Sequence, residues 1–283
     1  MYFFKKTCCL LAFFLSIFFY SQSQWINKDT LRGEFTYLLK AKLDQRNDYK
    51  HEELFSLQVG DNRAFFVSSQ SIKRDSVIKN SAKITTEGNT KTISLQGVAV
   101  PKTKFSYTII QSNENIQFFQ LVAMSLLSYK EPIISNWKLS DELQTINSFN
   151  CKKAEVTFKG RNWIAWYSTE IPFPYGPYKF TGLPGLIIKI TDDRGDYDFE
   201  LVKSVPNVKL KGRLINNISD YRYTNPIETT RPKFEQALEN ARANPSGALA
   251  NSGTTIIGGQ EVIQQRRKQR EENKKYENPI ELE

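Results

Sequence analysis

The stretch from Gly176 to Ile187 constrains the fold of this chain more than any other part of its sequence. Three glycines and two prolines lie within residues 176–185, and apolar side chains flank them on both sides. Only glycine reaches positive φ at little cost, and proline fixes φ at about −65°. We therefore expect this stretch to follow one defined backbone path that is packed against the rest of the protein.

Most of the remaining sequence alternates polar and apolar residues over short runs, which is the pattern of half-buried β-strands. The run at 162–169 is apolar on both faces, which predicts a strand that is covered on both sides. A short surface helix is predicted at 72–80. Strands are predicted at 34–39, 54–59, 64–68, 92–98, 104–111, 116–122, 152–158, 162–169, 186–190, 197–202 and 205–214.

Many short strands joined by tight turns, with few helices between them, predict an all-β fold. We expect mainly an antiparallel meander that forms a half-open barrel or a sandwich, with minor helices and a helical or disordered C-terminal tail. The β-rich domain is predicted to span residues 24–228. Residues 229–283 are expected to form a helix at 231–242, a linker at 244–259 and a charged, mostly solvated tail.

Residues 1–23 have the pattern of a secretory signal peptide. Lys5 and Lys6 precede an apolar run at 10–20, and small residues stand before Gln24, where we expect cleavage. The apolar run is shorter than the about 20 residues that a spanning helix needs, and an uncleaved anchor is the alternative. We predict an exported protein of the cell envelope, located in the periplasm, associated with the outer membrane or secreted.

The chain is basic. Cleavage would lower its formal charge from +9 to +7, since residues 1–23 contain two lysines and no acidic residue. A basic exported protein can meet anionic lipid headgroups or acidic polysaccharide, whereas the alternative is a dispersed charge that only keeps the surface solvated. Nucleic acid is not an expected partner in that compartment.

Metal sites and nucleophilic triads lack the residues that they would need. Cys151 is the only cysteine after the signal region and His51 is the only histidine, so a zinc site is not expected. Cys151 is predicted to be a small buried hydrophobe, with a reactive thiol as the alternative. The acidic run at 192–198 is predicted to form a hairpin turn, with calcium binding as the alternative. We expect no metal and no cofactor.

Aromatic side chains are concentrated beside the Pro/Gly stretch. Aromatic residues and prolines can build a hydrophobic groove for lipid, peptide or sugar, but core packing explains the same residues without a ligand. The candidate ligand-binding residues are Trp163, Trp166, Tyr167, Tyr175, Tyr178 and Phe180. Glu170 is the candidate acid of a carboxylate-based hydrolase, and the alternative is a charged residue that ends a strand. We assign no catalytic residue.

Several segments together closely resemble the signature of the GLPGLI family. The core of that signature is Gly182-Leu183-Pro184-Gly185-Leu186-Ile187, preceded by Gly176-Pro177-Tyr178-Lys179-Phe180. Further segments that fit the family pattern lie at 137–139, 151–154, 163–172 and 278–282. The resemblance covers most of the chain after the signal region, with a looser match before residue 104.

The resemblance implies an exported protein of Bacteroidota, in a family often encoded near outer-membrane TonB-dependent receptors and without an established activity. It supplies no catalytic residue. It implies a buried turn between the runs at 163–169 and 186–190, or alternatively a contact with a ligand or partner. The residues concerned are Gly176, Pro177, Gly182, Leu183, Pro184, Gly185, Leu186 and Ile187.

These observations favour a non-enzymatic protein of the cell envelope that binds an apolar or extended ligand or a partner protein. One alternative is a carboxylate-based hydrolase that acts on glycan or peptide. Another is a structural adaptor of an outer-membrane receptor system. The candidate partners are therefore an outer-membrane receptor or a lipid or peptide ligand, and the oligomeric state is left open.

Overall fold

The computed structural model describes residues 29–87, 90–205, 207–250 and 260–283, so the predicted signal peptide lies outside the described residues. The β-strands in these ranges are β1 (Gly33–Ala41), β2 (His51–Val59), β3 (Arg63–Ser68), β4 (Lys83–Glu87), β5 (Thr90–Ser94), β6 (Thr108–Ser112), β7 (Asn115–Val122), β8 (Ser125–Pro132), β9 (Lys138–Ile146), β10 (Phe149–Phe158), β11 (Arg161–Ser168), β12 (Leu186–Asp192), β13 (Tyr197–Val205) and β14 (Ile227–Glu228). The α-helices are α1 (Ser69–Ser81), α2 (Arg231–Ala243), α3 (Pro245–Ala250) and α4 (Gln260–Lys274), and short 3₁₀-helices span Asn207–Lys209 and Asp220–Arg222.

Twelve strands form one sheet in the order β14-β8-β7-β6-β3-β2-β1-β13-β12-β11-β10-β9. Its neighbouring strands are antiparallel, except that β14 runs parallel to β8. The two outer strands, β14 and β9, do not pair with each other, so this sheet is open. Strands β4 and β5 form a separate hairpin. The prediction of a mainly antiparallel all-β fold is confirmed.

One face of the large sheet carries the main hydrophobic core. In β1, alternation buries Phe35, Tyr37 and Leu39, because successive side chains of a strand point to opposite faces. The same core takes in side chains of β10 to β13 and of the loop between β11 and β12. That loop contains the Pro/Gly stretch, so the core lies between the sheet and this loop.

A smaller apolar cluster includes Phe65 of β3, whose neighbour Phe66 belongs to the main core on the other face. Leu210 and Ile215, from the segment after β13, pack on this cluster. The predicted strand at 205–214 is therefore wrong. Within 207–214 only Leu210 packs on the smaller cluster, from an irregular turn, while Val208 in the 3₁₀-helix and Leu214 are exposed.

Strands β4, β8, β9 and β14 are absent from the predicted set, and two other predictions need correction. Strand β9 is exposed over most of its length, so it lacks the polar–apolar alternation of a half-buried strand. The strand predicted at 104–111 begins only at Thr108, because Phe105 and Tyr107 reach the core from an irregular segment. The strand predicted at 92–98 belongs to the β4–β5 hairpin, which ends at Ser94.

The C-terminal part of the chain packs on the sheet. Phe234 of α2 enters the main core, and Glu239 of the same helix pairs with Arg270 and Lys274 of α4. Asn278 is buried and its polar groups have partners on or beside the sheet, whereas Pro279, Leu282 and Glu283 are exposed. Within the described ranges, no helix has both the length and the apolar character needed to cross a membrane.

Candidate functional site

Residues 169–185, here called the crossing segment, connect β11 to β12 over the main core. Gln111 of β6 ties this segment down from the sheet. Its side-chain amide donates to the carbonyl oxygens of Gly176 and Tyr178, each at 2.7 Å, and accepts from the Gly176 N–H at 3.3 Å. A buried glutamine thus satisfies backbone groups that have no strand partner.

The signature glycines sit where a side chain would collide with backbone. Gly182 has a φ of +94°, and a Cβ there would lie 2.5 Å from the carbonyl oxygen of Ile134. A Cβ on Gly185 would overlap the carbonyl oxygen of Ser168. These positions let the crossing segment approach its neighbours more closely than any other residue type permits.

Tyr178 has a left-handed backbone conformation, with a φ of +56°. A non-glycine residue in this region costs about 1–3 kcal/mol and persists only where its surroundings enforce it. The Tyr178 hydroxyl donates to Glu281 at 2.7 Å, and its ring meets that of Tyr107 edge-on. Burial raises the pKa of Tyr178 well above its usual value, so the hydroxyl stays a hydrogen-bond donor.

Lys179, the next residue, is the centre of a buried charge cluster. Its side chain is 0% exposed, and Nζ lies 2.5 Å from Glu131 and 2.6 Å from Glu281. Nζ also donates to the Tyr129 hydroxyl at 3.1 Å. A buried ammonium is tolerated only when anions and hydrogen-bond acceptors surround it. Lys179 therefore joins the crossing segment to β8 and to residues 278–283.

Two further cations complete the cluster. Lys159 lies 2.8 Å from Glu131, and Arg231 at the start of α2 lies 2.9 Å from Glu281. Arg231 also lies 2.8 Å from Glu235, so three cations contact three carboxylates and their formal charges balance. Burial alone would raise the pKa of Glu131, but Lys179 and Lys159 outweigh burial and hold that pKa below its usual value. The neighbouring cations therefore keep the Glu131 carboxylate charged.

The lowered pKa of Glu131 predicts acid sensitivity. A carboxylate whose pKa is lower in the folded state stabilises the fold above its unfolded pKa, here 4.5. That stability is lost as the pH falls through the lower, folded value. We expect the wild-type protein to lose more unfolding free energy between about pH 6 and about pH 3 than the Glu131→Gln variant. Urea unfolding at the two pH values measures this difference.

The pair of Lys130 and Glu228 provides a control, because both side chains are mostly exposed. Exposed ion pairs contribute about 0–1 kcal/mol, so Glu228→Gln should respond to acid as the wild type does. Equal acid losses in wild type and Glu131→Gln would show that the neighbouring cations do not stabilise the Glu131 carboxylate.

Residues 278–283 occupy a groove that binds them largely through polar groups. Asn278 is buried, and its Nδ2 donates to the Lys42 carbonyl at 2.8 Å. Its Oδ1 accepts from Arg161 at 2.6 Å, and its backbone carbonyl accepts from the Tyr197 hydroxyl at 2.5 Å. Both the side chain and the backbone of Asn278 are therefore recognised.

Arg161 of β11 is a buried donor of this groove. It lies 2.7 Å from Asp192 and 3.3 Å from Asp196, so its charge is compensated. It also donates to the Pro279 carbonyl at 2.8 Å. The acidic turn between β12 and β13 thus orients an arginine. No group of three or more His, Cys, Asp or Glu side chains in the described part of the chain could hold a metal ion.

The turn between β10 and β11 closes the other end of the groove. The Leu282 N–H donates to the Lys159 carbonyl at 3.0 Å. A Cβ on Gly160 would lie 2.9 Å from the Cβ of Leu282, so glycine leaves room for that leucine. The C-terminal groove, as we call it, is formed by Lys42, Lys159, Gly160, Arg161, Tyr178, Lys179, Tyr197 and Arg231.

Most of the predicted ligand-binding aromatics belong to the core. Trp166 is half-buried. Trp163 packs on Phe180, with ring centroids 4.5 Å apart. Tyr178 contacts the C-terminal segment through the hydrogen bond from its hydroxyl to Glu281. The buried members are Trp163, Tyr167, Tyr175, Tyr178 and Phe180. Their role in ligand binding stays a prediction.

The other candidate side chains lie apart from the groove residues. Glu170 is exposed and accepts from the backbone and side chain of Asn150, at 3.1 and 3.0 Å. Burial raises the pKa of the Cys151 thiol to about 11, which disfavours the reactive thiolate. His51 lies 3.1 Å from Glu53 in β2.

Sequence reasoning missed most residues of the charge cluster. Lys179 and Glu281 lie in segments that resemble the family signature, so the sequence singles out the segments that contain them. Glu131, Lys159 and Arg231 lie outside those segments. Nothing in their local pattern distinguishes them from surface charges, because long-range pairing brings them together.

A family described as a protein of unknown function (Porph_ging) matches residues 155–189, which run from β10 through the crossing segment into β12. The match covers less than half of the chain, so membership of the GLPGLI family stays a prediction. No curated protein matches the sequence.

Two solved structures of PNGF-II, in space groups P21 and C2, resemble this fold with TM-scores of 0.50 and 0.49 and 14% sequence identity. Each comparison covers 74% of this chain and 33% of the PNGF-II chain, so the chain spans about a third of the PNGF-II length. At this identity the likeness concerns the fold alone.

Proposed function

We propose that this protein is exported to the cell envelope and binds an extended, acidic polypeptide segment of a partner protein without catalysing a reaction. The observation that carries the proposal is the C-terminal groove, which already holds an extended segment, residues 278–283, through side-chain and backbone contacts. Export rests on the predicted signal peptide at residues 1–23.

The contacts define the ligand class. Carbonyl oxygens of the bound segment accept from Arg161 and Tyr197, which any polypeptide can satisfy. An acidic side chain is held by Lys179 and Arg231, because charge-assisted hydrogen bonds are stronger than neutral ones. Ile280 packs against the main core between these polar contacts. The groove therefore fits an extended segment with an apolar residue next to a carboxylate.

Release of the bound segment also requires the helix before it to shift, and the ion pairs between that helix and α2 are partly exposed to solvent. Arg270 and Lys274 of α4 pair with Glu239, and the exposed fractions of these side chains are 28%, 56% and 40%. Exposed ion pairs of this kind are worth about 0–1 kcal/mol each. The tethered segment competes at an effective concentration of about millimolar. A partner segment displaces it only if its affinity or its concentration outweighs this competitor.

A peptide titration tests the proposal. In the full chain, Asn278→Ala with Glu281→Ala weakens the tethered segment and leaves the groove residues unchanged. A fluorescent peptide with the sequence of residues 276–283 should bind this variant saturably and at least about tenfold more tightly than it binds the wild type, because the tethered competitor is weakened. Fluorescence anisotropy measures both affinities.

A second peptide provides the control. Glu281→Lys within the peptide places a cation against Lys179 and Arg231, so its binding should be lost. Equal binding of the two peptides, or the absence of saturable binding to both chains, would contradict the proposed function.

A further inference from the structure

The turn between β7 and β8 uses residues that are unfavourable for its backbone. Ala123 and Met124 have φ values of +47° and +69°. Two-residue hairpin turns with positive φ at both positions favour asparagine and glycine. Two other turns of this protein have such φ values, and the turn at 147–148 contains asparagine while the turn at 159–160 contains glycine. Alanine and methionine at 123–124 are therefore retained at a cost in stability.

The same hairpin tip exposes apolar side chains. Leu121 is 46% exposed and Met124 is 58% exposed, and Ile227 of the adjacent strand is 58% exposed. Tyr221, 52% exposed, borders a shallow hollow with Leu121. No charged residue occurs in the sequence from 115 to 129. Leu121 and Ile227 lie on opposite faces of the sheet, so exposed apolar side chains flank the tip on both sides, which suits an apolar medium that surrounds the tip.

The two strands of the hairpin keep their ladder hydrogen bonds in surroundings of low polarity. Strands β7 and β8 pair from Asn115 and Pro132 up to Val122 and Ser125, directly before the turn. Strand β6 pairs with β7 only as far as Phe119, so the last residues of the hairpin extend beyond it. A paired backbone tolerates low-polarity surroundings, whereas an unpaired one does not.

We propose that the tip of this hairpin, residues 121–126, inserts into the headgroup region of an anionic phospholipid bilayer. The net charge of the chain, +7 after the predicted cleavage lowers it from +9, attracts it to such a surface. A two-residue tip offers far less contact area than the about 1,200 Å² that a specific protein interface buries, but it suits insertion between headgroups. Tyr221 beside the tip fits the position that tyrosines take at membrane interfaces.

Replacing the tip with favourable turn residues separates stability from binding. Ala123→Asn with Met124→Gly should raise the midpoint of thermal unfolding by about 2–6 °C, because strain at the turn is relieved. The same variant should partition at least about tenfold less onto vesicles of phosphatidylglycerol and phosphatidylcholine, because the apolar tip is gone. Vesicle flotation measures the partition. Ser148→Gly, which improves another turn, should bind vesicles as the wild type does.

A site-specific label reports whether the tip itself makes the contact. An environment-sensitive fluorophore on Met124→Cys should shift to shorter wavelength with anionic vesicles, whereas the same label on exposed Leu143→Cys in β9 should not. The native Cys151 is buried. Three results would overturn the proposal. They are vesicle binding by the Ala123→Asn/Met124→Gly variant that equals that of the wild type, no vesicle binding by the wild type, or equal wavelength shifts of the two labels. The proposal would also be overturned if the tip substitutions abolished binding to a partner protein while neither chain bound vesicles.

Discussion

Replacing Lys179 with methionine should lower the free energy of unfolding by about 3–5 kcal/mol, as expected when one partner of a buried ion cluster is removed. The Lys179 ammonium is fully buried between Glu131 and Glu281. Methionine has a similar length but supplies no charge and no donor, so both carboxylates lose their closest cation. Urea unfolding at neutral pH measures the change.

Two comparisons show whether the effect comes from the cluster. Lys130→Met removes a lysine whose partner Glu228 is exposed, and it should cost less than about 1 kcal/mol. Glu281→Gln should cost less in the Lys179→Met background than in the wild type, because the two residues interact directly. Additive effects, or equal effects of Lys179→Met and Lys130→Met, would contradict the role assigned to the cluster.

Replacing Gly182 with alanine should be similarly severe, at about 2–6 kcal/mol. Two costs combine at this position. The φ of +94° is unfavourable for any residue with a Cβ, and the new Cβ would lie 2.5 Å from the carbonyl oxygen of Ile134. Backbone cannot move aside as a side chain can, so the crossing segment has to shift. Thermal unfolding with calorimetry measures the loss.

Gly195 provides the matched control for this prediction. Its φ is +67°, but a Cβ there would have no heavy atom within 4 Å. Gly195→Ala should therefore carry only the backbone cost, about 1–3 kcal/mol. If both variants lost the same stability, the close approach of the crossing segment to Ile134 would not matter to the fold.

The polar–apolar pattern of the sequence predicts strands that have one buried face and one exposed face. Strand β1 alternates buried and partly exposed residues and is found close to where the pattern places it. Strand β9 is exposed on both faces and shows no such alternation, so its pairing with β10 could not be anticipated. Residues 205–214 alternate locally, but the chain after β13 is irregular, with Leu210 packed on the smaller apolar cluster and Val208 and Leu214 exposed.

The candidate site was less predictable because it depends on contacts between distant residues. Lys179 and Glu281 are 102 positions apart in number, and neither local pattern identifies the other as a partner. The sequence of residues 260–283 also predicts a solvated tail, because its charged residues outnumber its apolar residues. Only the folded chain shows that Asn278 and Glu281 meet groups that compensate their burial.

Hydrogen exchange at residues 278–283 tests the central claim, that the C-terminal groove is a binding site with an exchangeable occupant. The amides of Asn278 and Leu282 donate to the carbonyls of Leu43 and Lys159, so both should be protected in the free protein. A saturating peptide with the sequence of residues 276–283 should then speed exchange at these two amides and leave β1 unchanged. Protection that stays as high as in β1 at saturating peptide would contradict the account.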